Sequence, residues 1–461
     1  MASDLRSFLT EVDYLTTRVS REVDPLTQMG TLCSQSPGPI VFEQLTGHPG
    51  WRACDRLHSS RELRARALHS EPAEYLRVLA ARIAAAPGES RVVKDGKVRE
   101  KIMTGEEVDL YDLPVGVGSE DDGGRYIASG MCVTKDPDTG VQNTAYYRTL
   151  LKDRNRATVA MGHRESWGHL TKNESNGRPT PMAIVIGHHP AYEMAAAYTG
   201  PHPGFEEFEL TASLLEEPVE FVRCETIDLR VPADAEIVIE GLIPPGVREP
   251  EGPYGEYTGY MGPGRAVPVL EATAITMRHD AFYRHLNGSR NADQQALSSL
   301  MSEAVLYANL KQVFGASILD VHMPDHAMFT TVVQMTPHYE GQGKAVLMAA
   351  LGMHRMAKVV MVVDDDIDIF DPKDVMWALS CRVNPATDIS TVTGTRGFKF
   401  DPSTPDLLIE ERLESGKPHL NGVMGIDATK PPVRTPDRRR SFARAVPVGQ
   451  GQWFLRDFIK A

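Results

Sequence analysis

The ten residues Glu251-Gly-Pro-Tyr-Gly-Glu-Tyr-Thr-Gly-Tyr260 put two carboxylates, three tyrosines, three glycines and a proline into one short stretch. Gly and Pro at that density break both helix and strand. In a helix Glu251 and Glu256 would sit well apart around the axis, and in a strand they would face opposite sides. A tight turn, permitted by the glycines, is the arrangement that aims both at a single point. Two acids held close in a rigid loop suit acid/base work, because proximity pushes their pKa values apart. The competing reading is a polar surface turn with two solvated glutamates. These ten residues alone leave both open.

A second stretch bears on that choice. Asn143-Thr-Ala-Tyr-Tyr-Arg148 reads as strand, and an arginine pointing from it into a barrel would offer a planar cationic fork in a low-dielectric place. A buried arginine needs carboxylates, and the 251–256 turn can supply them. A purely structural ion pair meets the same need. Other clusters are weaker. Asp364-Asp365-Asp366-Ile367-Asp368 follows an apolar run but has no calcium-loop spacing, so it reads as an acidic strand end. His188, His189, His322 and His326 lack the partners of a zinc site. No dinucleotide fingerprint follows a strand, and there is no P-loop, nucleophile elbow or kinase signature.

The elements that must position these groups fall into three textures. Residues 1–110 read as a small α/β unit. Leu5, Phe8, Leu9 and Val12 have helical spacing, a strand is expected near 14–19, a helix at 25–32, a strand at 39–42, and helices at 61–68 and 72–85. From about 115 to 280, apolar and often β-branched runs recur between Gly, Pro and Asp: 126–135, 143–153, 157–162, 182–187, 218–224, 235–241 and 270–277. Lys135-Asp-Pro-Asp-Thr-Gly140 is a hairpin turn between two of them, and 206–215 reads as a helix. An antiparallel barrel-like sheet is expected. Residues 292–314 contain no Gly or Pro and form a connector helix. Beyond it, strands at 318–321, 328–334 and 358–363 alternate with helices at 343–351 and 372–379, an α/β pattern. Residues 384–440, rich in Pro, Gly, Thr and Asp, read as a long irregular loop region, and 452–460 as a final helix.

Composition narrows the function. The 461 residues carry 49 basic and 62 acidic side chains, a formal net charge of −13. That argues against nucleic acid and anionic membrane partners. Five cysteines without CxxC spacing fit reduced thiols, and the N-terminus lacks an apolar signal region. The longest apolar run, 345–353, is too short to span a bilayer, so a cytoplasmic protein is expected.

The motifs taken in order resemble the UbiD-like decarboxylases, a family that uses prenylated FMN. The resemblance runs nearly end to end. It is carried by Arg18-Val-Ser-Arg-Glu-Val-Asp24, Gly38-Pro-Ile-Val-Phe42, Asp109-Leu-Tyr-Asp-Leu-Pro114, Asp122-Gly-Gly-Arg-Tyr126 and the 135–140 turn. Most specific are Asn143–Arg148, Glu251–Glu256 and Met424-Gly-Ile-Asp-Ala-Thr-Lys430. The resemblance implies an α/β multi-domain fold: an N-terminal α/β domain (1–113), a split β-barrel binding the flavin (114–290), a connector helix (291–316) and a C-terminal α/β oligomerisation domain (317–461) whose loop and tail return to the active site.

The resemblance also implies roles. Arg148 and Glu251 would form an ion pair beside the cofactor, with Glu256 as proton donor. Asn143, His163 and Glu207 would hold a divalent metal, Mn2+ or Mg2+, with Glu206 and Glu209 as neighbouring alternatives to the last, and K+ is admitted as a further ion. Cofactor contacts would come from Asn143, Thr144, Ala145, Tyr146, Tyr147, Arg148, Gly162, His163, Glu207 and Lys430. The expected reaction is a non-oxidative, reversible decarboxylation of an aromatic, heteroaromatic or α,β-unsaturated acid. Loss of CO2 from an sp2 carbon leaves a carbanion that side chains cannot stabilise, so an organic cofactor takes the electrons. Arg148 is expected to hold the departing carboxylate and Glu256 to return a proton. His285, Ser289 and Arg290 are candidates to face the substrate, against a surface salt bridge at a helix start. Partners implied are the acid, CO2, a flavin prenyltransferase supplying the cofactor, and further copies in a homodimer or hexamer. The competing functions are a catalytically silent flavin-binding or assembly subunit, and an FMN oxidoreductase, whose nicotinamide site is not found.

Overall fold

The structure is a computed structural model and describes residues 3–162, 164–200, 206–286, 288, 291–325, 327–353, 356–398, 401–403, 420–431, 436–454 and 457–458. It is a mixed α/β fold. Its centre is an antiparallel ten-stranded sheet, with neighbours in the order Tyr126–Ile127, Thr149–Leu151, Arg156–Val159, Arg265–Met277, Ile237–Ile243, Thr180–Ile186, Met131–Lys135 and Gln142–Tyr146. Arg248–Glu251 and Lys101–Thr104 add to the two ends of the long strand Arg265–Met277. The expected barrel-like sheet is present in content, but among the described residues its end strands are not paired with each other, so no closed ring forms.

Both faces of this sheet are buried. Along Thr180–Ile186, Ala183 and Val185 join one apolar cluster while Met182, Ile184 and Ile186 join the other. Val238 faces the first and Ile237 and Ile239 the second. Strand periodicity of two, with apolar residues in both phases, is what burial on both sides requires. The first cluster runs from the helix Leu5–Glu11 through the sheet to the helix Ala292–Phe314 and the C-terminal strands, which ties the sheet rigidly to its surroundings.

The N-terminal elements form close to their expected places: helices Leu5–Glu11, Met29–Gln35, Arg61–Arg66 and Tyr75–Ala84, and strands Thr17–Val19 and Ile40–Phe42. Their small sheet is completed by Phe282–Arg284, which pairs with Arg52–Asp55 from far along the chain. Ser90–Val92 likewise pairs with Val219–Arg223. The helix Ala292–Phe314 begins on Asn291, whose side chain accepts from the N–H groups of Asp293 and Gln294, and ends at Gly315 at φ +60°.

The C-terminal sheet has the order Ile318–His322, Thr330–Met335, Val359–Asp364, Leu420–Ala428, Ile389–Arg396. Two of these strands fall where a long irregular region is expected. Ile389–Arg396 alternates β-branched residues, and Leu420–Ala428 pairs in parallel with the buried strand Val359–Asp364. The turn-rich composition hides them, because their β character comes from the strand they join. The acidic run 364–368 is an ion-paired strand end: Asp364 accepts from Arg439 at 3.0 Å, and Asp366 from Arg382 at 2.7 Å and Lys430 at 2.9 Å. Of the expected final helix at 452–460, residues 455, 456, 459 and 460 lie outside the described residues, and 452–454 are turn and irregular chain rather than helix. No helix is long and apolar enough to cross a membrane among the described residues.

Candidate active site

The stretch 251–260 is a hairpin that buries both glutamates and leaves Gly259 and Tyr260 exposed at its tip, rather than a surface turn with two solvated acids. Glu251 ends the strand Arg248–Glu251, and Tyr254–Gly255 pairs back on Met261–Gly262. Gly252, at φ +101°, sits against the backbone of Gly264, where a Cβ would come within 2.6 Å. A Cβ on Gly262 would lie 2.6 Å from Glu256 Oε1, so that glycine makes the space the carboxylate occupies. Asp122 fixes the hairpin from outside by accepting from the Gly255 N–H at 2.7 Å, and burial lifts its carboxyl above the ordinary value.

Arg148 meets this hairpin from the break between the strands Gln142–Tyr146 and Thr149–Leu151. The expected single strand over 143–153 divides there, which frees the side chain to turn inward. Its Nε donates to Glu251 Oε1 at 2.8 Å and Nη2 to Oε2 at 3.0 Å, a two-pronged pairing. Nη1 donates to Glu256 Oε1. Tyr126 Oη donates to Glu251 Oε1 at 2.9 Å, and the Tyr254 ring lies under the guanidinium at 4.7 Å. Burial alone would lower the Arg148 pKa, but Glu256 and Glu251 outweigh it and hold it above its ordinary value. The guanidinium fork is thus taken by Glu251, not open to a substrate carboxylate.

Tyr147, one residue before Arg148, lines a cavity of about 880 Å³. Its walls also include Asn143, Thr144, Ala145, Arg164, Glu165 and Glu207. Asn143 Nδ2 donates to Ser166 Oγ at 2.7 Å, which leaves its amide oxygen as a ligand atom. Glu207 Oε2 accepts from the Thr144 N–H at 2.8 Å. Burial raises the Glu207 carboxyl to about 7, against its own and the Thr144 N–H. The two neighbouring glutamates are engaged elsewhere. Glu206 accepts from Gln142 N–H at 2.9 Å and pairs with Arg230, and Glu209 closes a capping box with the Glu206 N–H. Thr144 Oγ1 is buried with no hydrogen-bond partner among the described residues. A hard oxygen set with an unsatisfied hydroxyl in a roomy cavity fits a divalent metal and a phosphorylated cofactor. His163 lies outside the described residues; at Gly162, beside it, a Cβ would be in ordinary contact with the Tyr147 ring at 3.8 Å.

Other expected residues are placed apart. Lys430 follows the strand Leu420–Ala428, pairs with Asp366 and lines a separate cavity of about 560 Å³. Tyr146 is largely buried, its hydroxyl without a hydrogen-bond partner among the described residues. His285 is buried next to Arg284, which pairs with Asp55, Glu193 and Asp293. Ser289 and Arg290 lie outside the described residues. Sequence reasoning missed Tyr126 and Asp122 as site residues. Both stand in the 122–126 motif, whose regularity was the available signal.

Comparison with known proteins identifies the family. Residues 91–290 match the 3-octaprenyl-4-hydroxybenzoate carboxy-lyase Rift-related domain, and 295–428 match the C-terminal domain of the same carboxy-lyase. The anhydromevalonate phosphate decarboxylase of Methanothermobacter thermautotrophicus is 34% identical over 325 residues, 70% of this chain and 73% of that one. The UbiD-class enzyme HmfF from Pelotomaculum thermopropionicum, solved in complex with FMN, superposes with a TM-score of 0.90 at 34% identity, covering 99% of this chain and 100% of that one. An evolved dimeric form of that enzyme, in complex with prFMN, gives 0.87 at 32% identity, covering 99% and 100%. The chain belongs to the UbiD family of carboxy-lyases.

Proposed function

We propose that this protein decarboxylates an aromatic, heteroaromatic or α,β-unsaturated acid reversibly and without net oxidation, using prenylated FMN, with Glu256 as the proton donor. The observation that carries this reading is the buried Arg148–Glu251–Glu256 array next to the cavity lined by Asn143, Tyr147 and Glu207. Prenylated FMN would supply an electron sink for the carbon that loses CO2. Asn143 and Glu207, with His163, would hold a divalent ion, Mn2+ or Mg2+, against its phosphate. On this reading the ten-stranded sheet is the flavin-binding split barrel.

The side chains divide the work. Glu251 accepts from Arg148 twice and from Tyr126 once, so it acts as a fixed counter-charge. Glu256 shares only the remaining edge of Arg148. A substrate carboxylate arriving there competes for that edge. Weakening the Arg148–Glu256 contact favours the protonated acid, which is the state that returns a proton to carbon. The hydrophobic surroundings of Tyr254 and Tyr126 exclude water from that transfer.

The test is co-expression with a flavin prenyltransferase, followed by measurement of CO2 release and of ring-proton exchange in D2O over a panel of aromatic and unsaturated acids. Turnover or exchange with at least one acid is expected. A protein that carries the cofactor yet does neither would instead be the silent flavin-holding subunit.

A further inference from the structure

Arg265 is a second guanidinium at this site. It opens the strand Arg265–Met277 and stands opposite Glu251 in the antiparallel register, so the two side chains leave one face of the pair. Its Nη2 reaches the Met161 carbonyl at 3.4 Å. Met161 adjoins Ala160, whose N–H donates to the Arg148 carbonyl at 3.0 Å. Register, carbonyl contact and the Arg148–Glu251 fork thus close a loop that places Arg265 beside the array. Burial and then the like charge of Arg148 push the Arg265 pKa below its ordinary value.

Arg265 differs from Arg148 in having no carboxylate within 4.0 Å among the described residues. A guanidinium carries five N–H donors, and the half-buried Arg265 uses one in a long bond. A Cβ at Gly162, the residue after Met161, would have the Tyr147 ring at 3.8 Å as its one close neighbour among the described residues. The charge balance points the same way. Arg148 with two ionised glutamates sums to −1, and with Glu256 protonated to zero, so the array by itself does not attract an anion. Arg265 raises each sum by one.

We propose that Arg265 is a specificity-determining residue that binds the carboxylate of the substrate, offering the two-pronged hold that its neighbour Arg148 cannot give while Glu251 fills its fork. This rests on the decarboxylase reading above. The carboxylate is held on Arg265 during approach, beside the Arg148 edge shared with Glu256, and the interaction is released when CO2 departs.

The test uses the full chain loaded with FMN, which lacks the prenyl group and so allows binding to be read without turnover. Benzoate, 2-furoate and cinnamate are titrated against their neutral amides, with flavin absorbance as the signal. Arg265→Gln is expected to weaken acid binding by about tenfold to a hundredfold, the worth of a charge-assisted hydrogen bond, with amide binding and FMN retention unchanged. Arg265→Lys should restore part of the loss. Unchanged acid affinity in Arg265→Gln, or equal loss for acids and amides, overturns the proposal. Loss of FMN in parallel also overturns it, since Arg265 would then serve the cofactor phosphate. A wild-type protein that retains FMN but binds none of the three acids overturns the functional reading itself.

Discussion

Arg148 and Glu251 meet fork to fork, Nε 2.8 Å from Oε1 and Nη2 3.0 Å from Oε2, with the Glu251 side chain fully withdrawn from solvent. A lysine cannot reproduce two parallel bonds from a plane, so Arg148→Lys should behave as a loss of function. Removing Arg148 leaves the buried Glu251 charge without its cation, at a cost of about 3–5 kcal/mol, whereas removing Glu251 leaves Arg148 its pairing with Glu256. Arg148→Met and Glu251→Leu should each lower the urea midpoint. The double variant should recover much of the stability and none of the activity. Denaturation midpoints and CO2 release check this, and a double variant as unstable as the two losses added would show that the pair is not an energetic unit.

Glu256 is engaged by Arg148 on one edge only, within a pocket that Gly262 leaves open. Glu256→Gln preserves the shape and the acceptor but removes the transferable proton. Folding and flavin retention should be unchanged, while CO2 release and D2O exchange fall by about a hundredfold or more, the usual worth of a positioned acid. Undiminished exchange would remove Glu256 from the proton-donor role.

Two of the glutamates at the start of the helix Glu207–Leu215, Glu206 and Glu207, should separate by phenotype. Glu207 faces the cavity with Asn143, whereas Glu206 is spent on Arg230 and the Gln142 N–H. Glu207→Gln is expected to lose bound Mn2+ and, with it, flavin occupancy, at near-normal stability. Glu206→Gln should keep the metal and lower the melting temperature. Elemental analysis beside flavin absorbance reads both. Metal retained in Glu207→Gln would move the ligand elsewhere.

Acid should destabilise the fold through two buried histidines. Burial holds His188 below its ordinary value, and burial with the neighbouring His69 holds His189 at about 3. The folded pKa lies below the unfolded value of 6.5, so this stability is present above pH 6.5 and is lost as pH falls toward 3. Each such group steepens the decline by about 1.4 kcal/mol per pH unit. His189 also accepts from the Ala191 N–H at 3.2 Å to start a helix. His189→Asn keeps a side-chain acceptor there and should flatten the pH dependence of urea stability between 6.5 and 5. An unchanged slope would place the titration elsewhere.

Much of the fold was legible because local patterns carry it. The glycine-free run 292–314 becomes the helix Ala292–Phe314, and the Asp-Pro-Asp-Thr-Gly turn joins Met131–Lys135 to Gln142–Tyr146 as its residues demand. Elements that depend on distant partners were harder. Phe282–Arg284 completes a sheet begun more than two hundred residues earlier, and Ile389–Arg396 takes its strand form from Leu420–Ala428. No window of sequence contains those pairings.

The site divides in the same way. The sequence alone determined which residue types were available: an arginine after a strand, two glutamates spaced by glycines, and an asparagine, a histidine and a glutamate spread over 143–207. Only the tertiary structure decided how they share charge. It spent the Arg148 fork on Glu251, left Glu256 the remaining edge, turned Glu206 to Arg230 and brought Arg265 alongside with no carboxylate partner among the described residues. The reason is physical. A hydrogen-bonding group has a few directional positions, and which partner fills them depends on strand register and burial, quantities set between segments rather than within them.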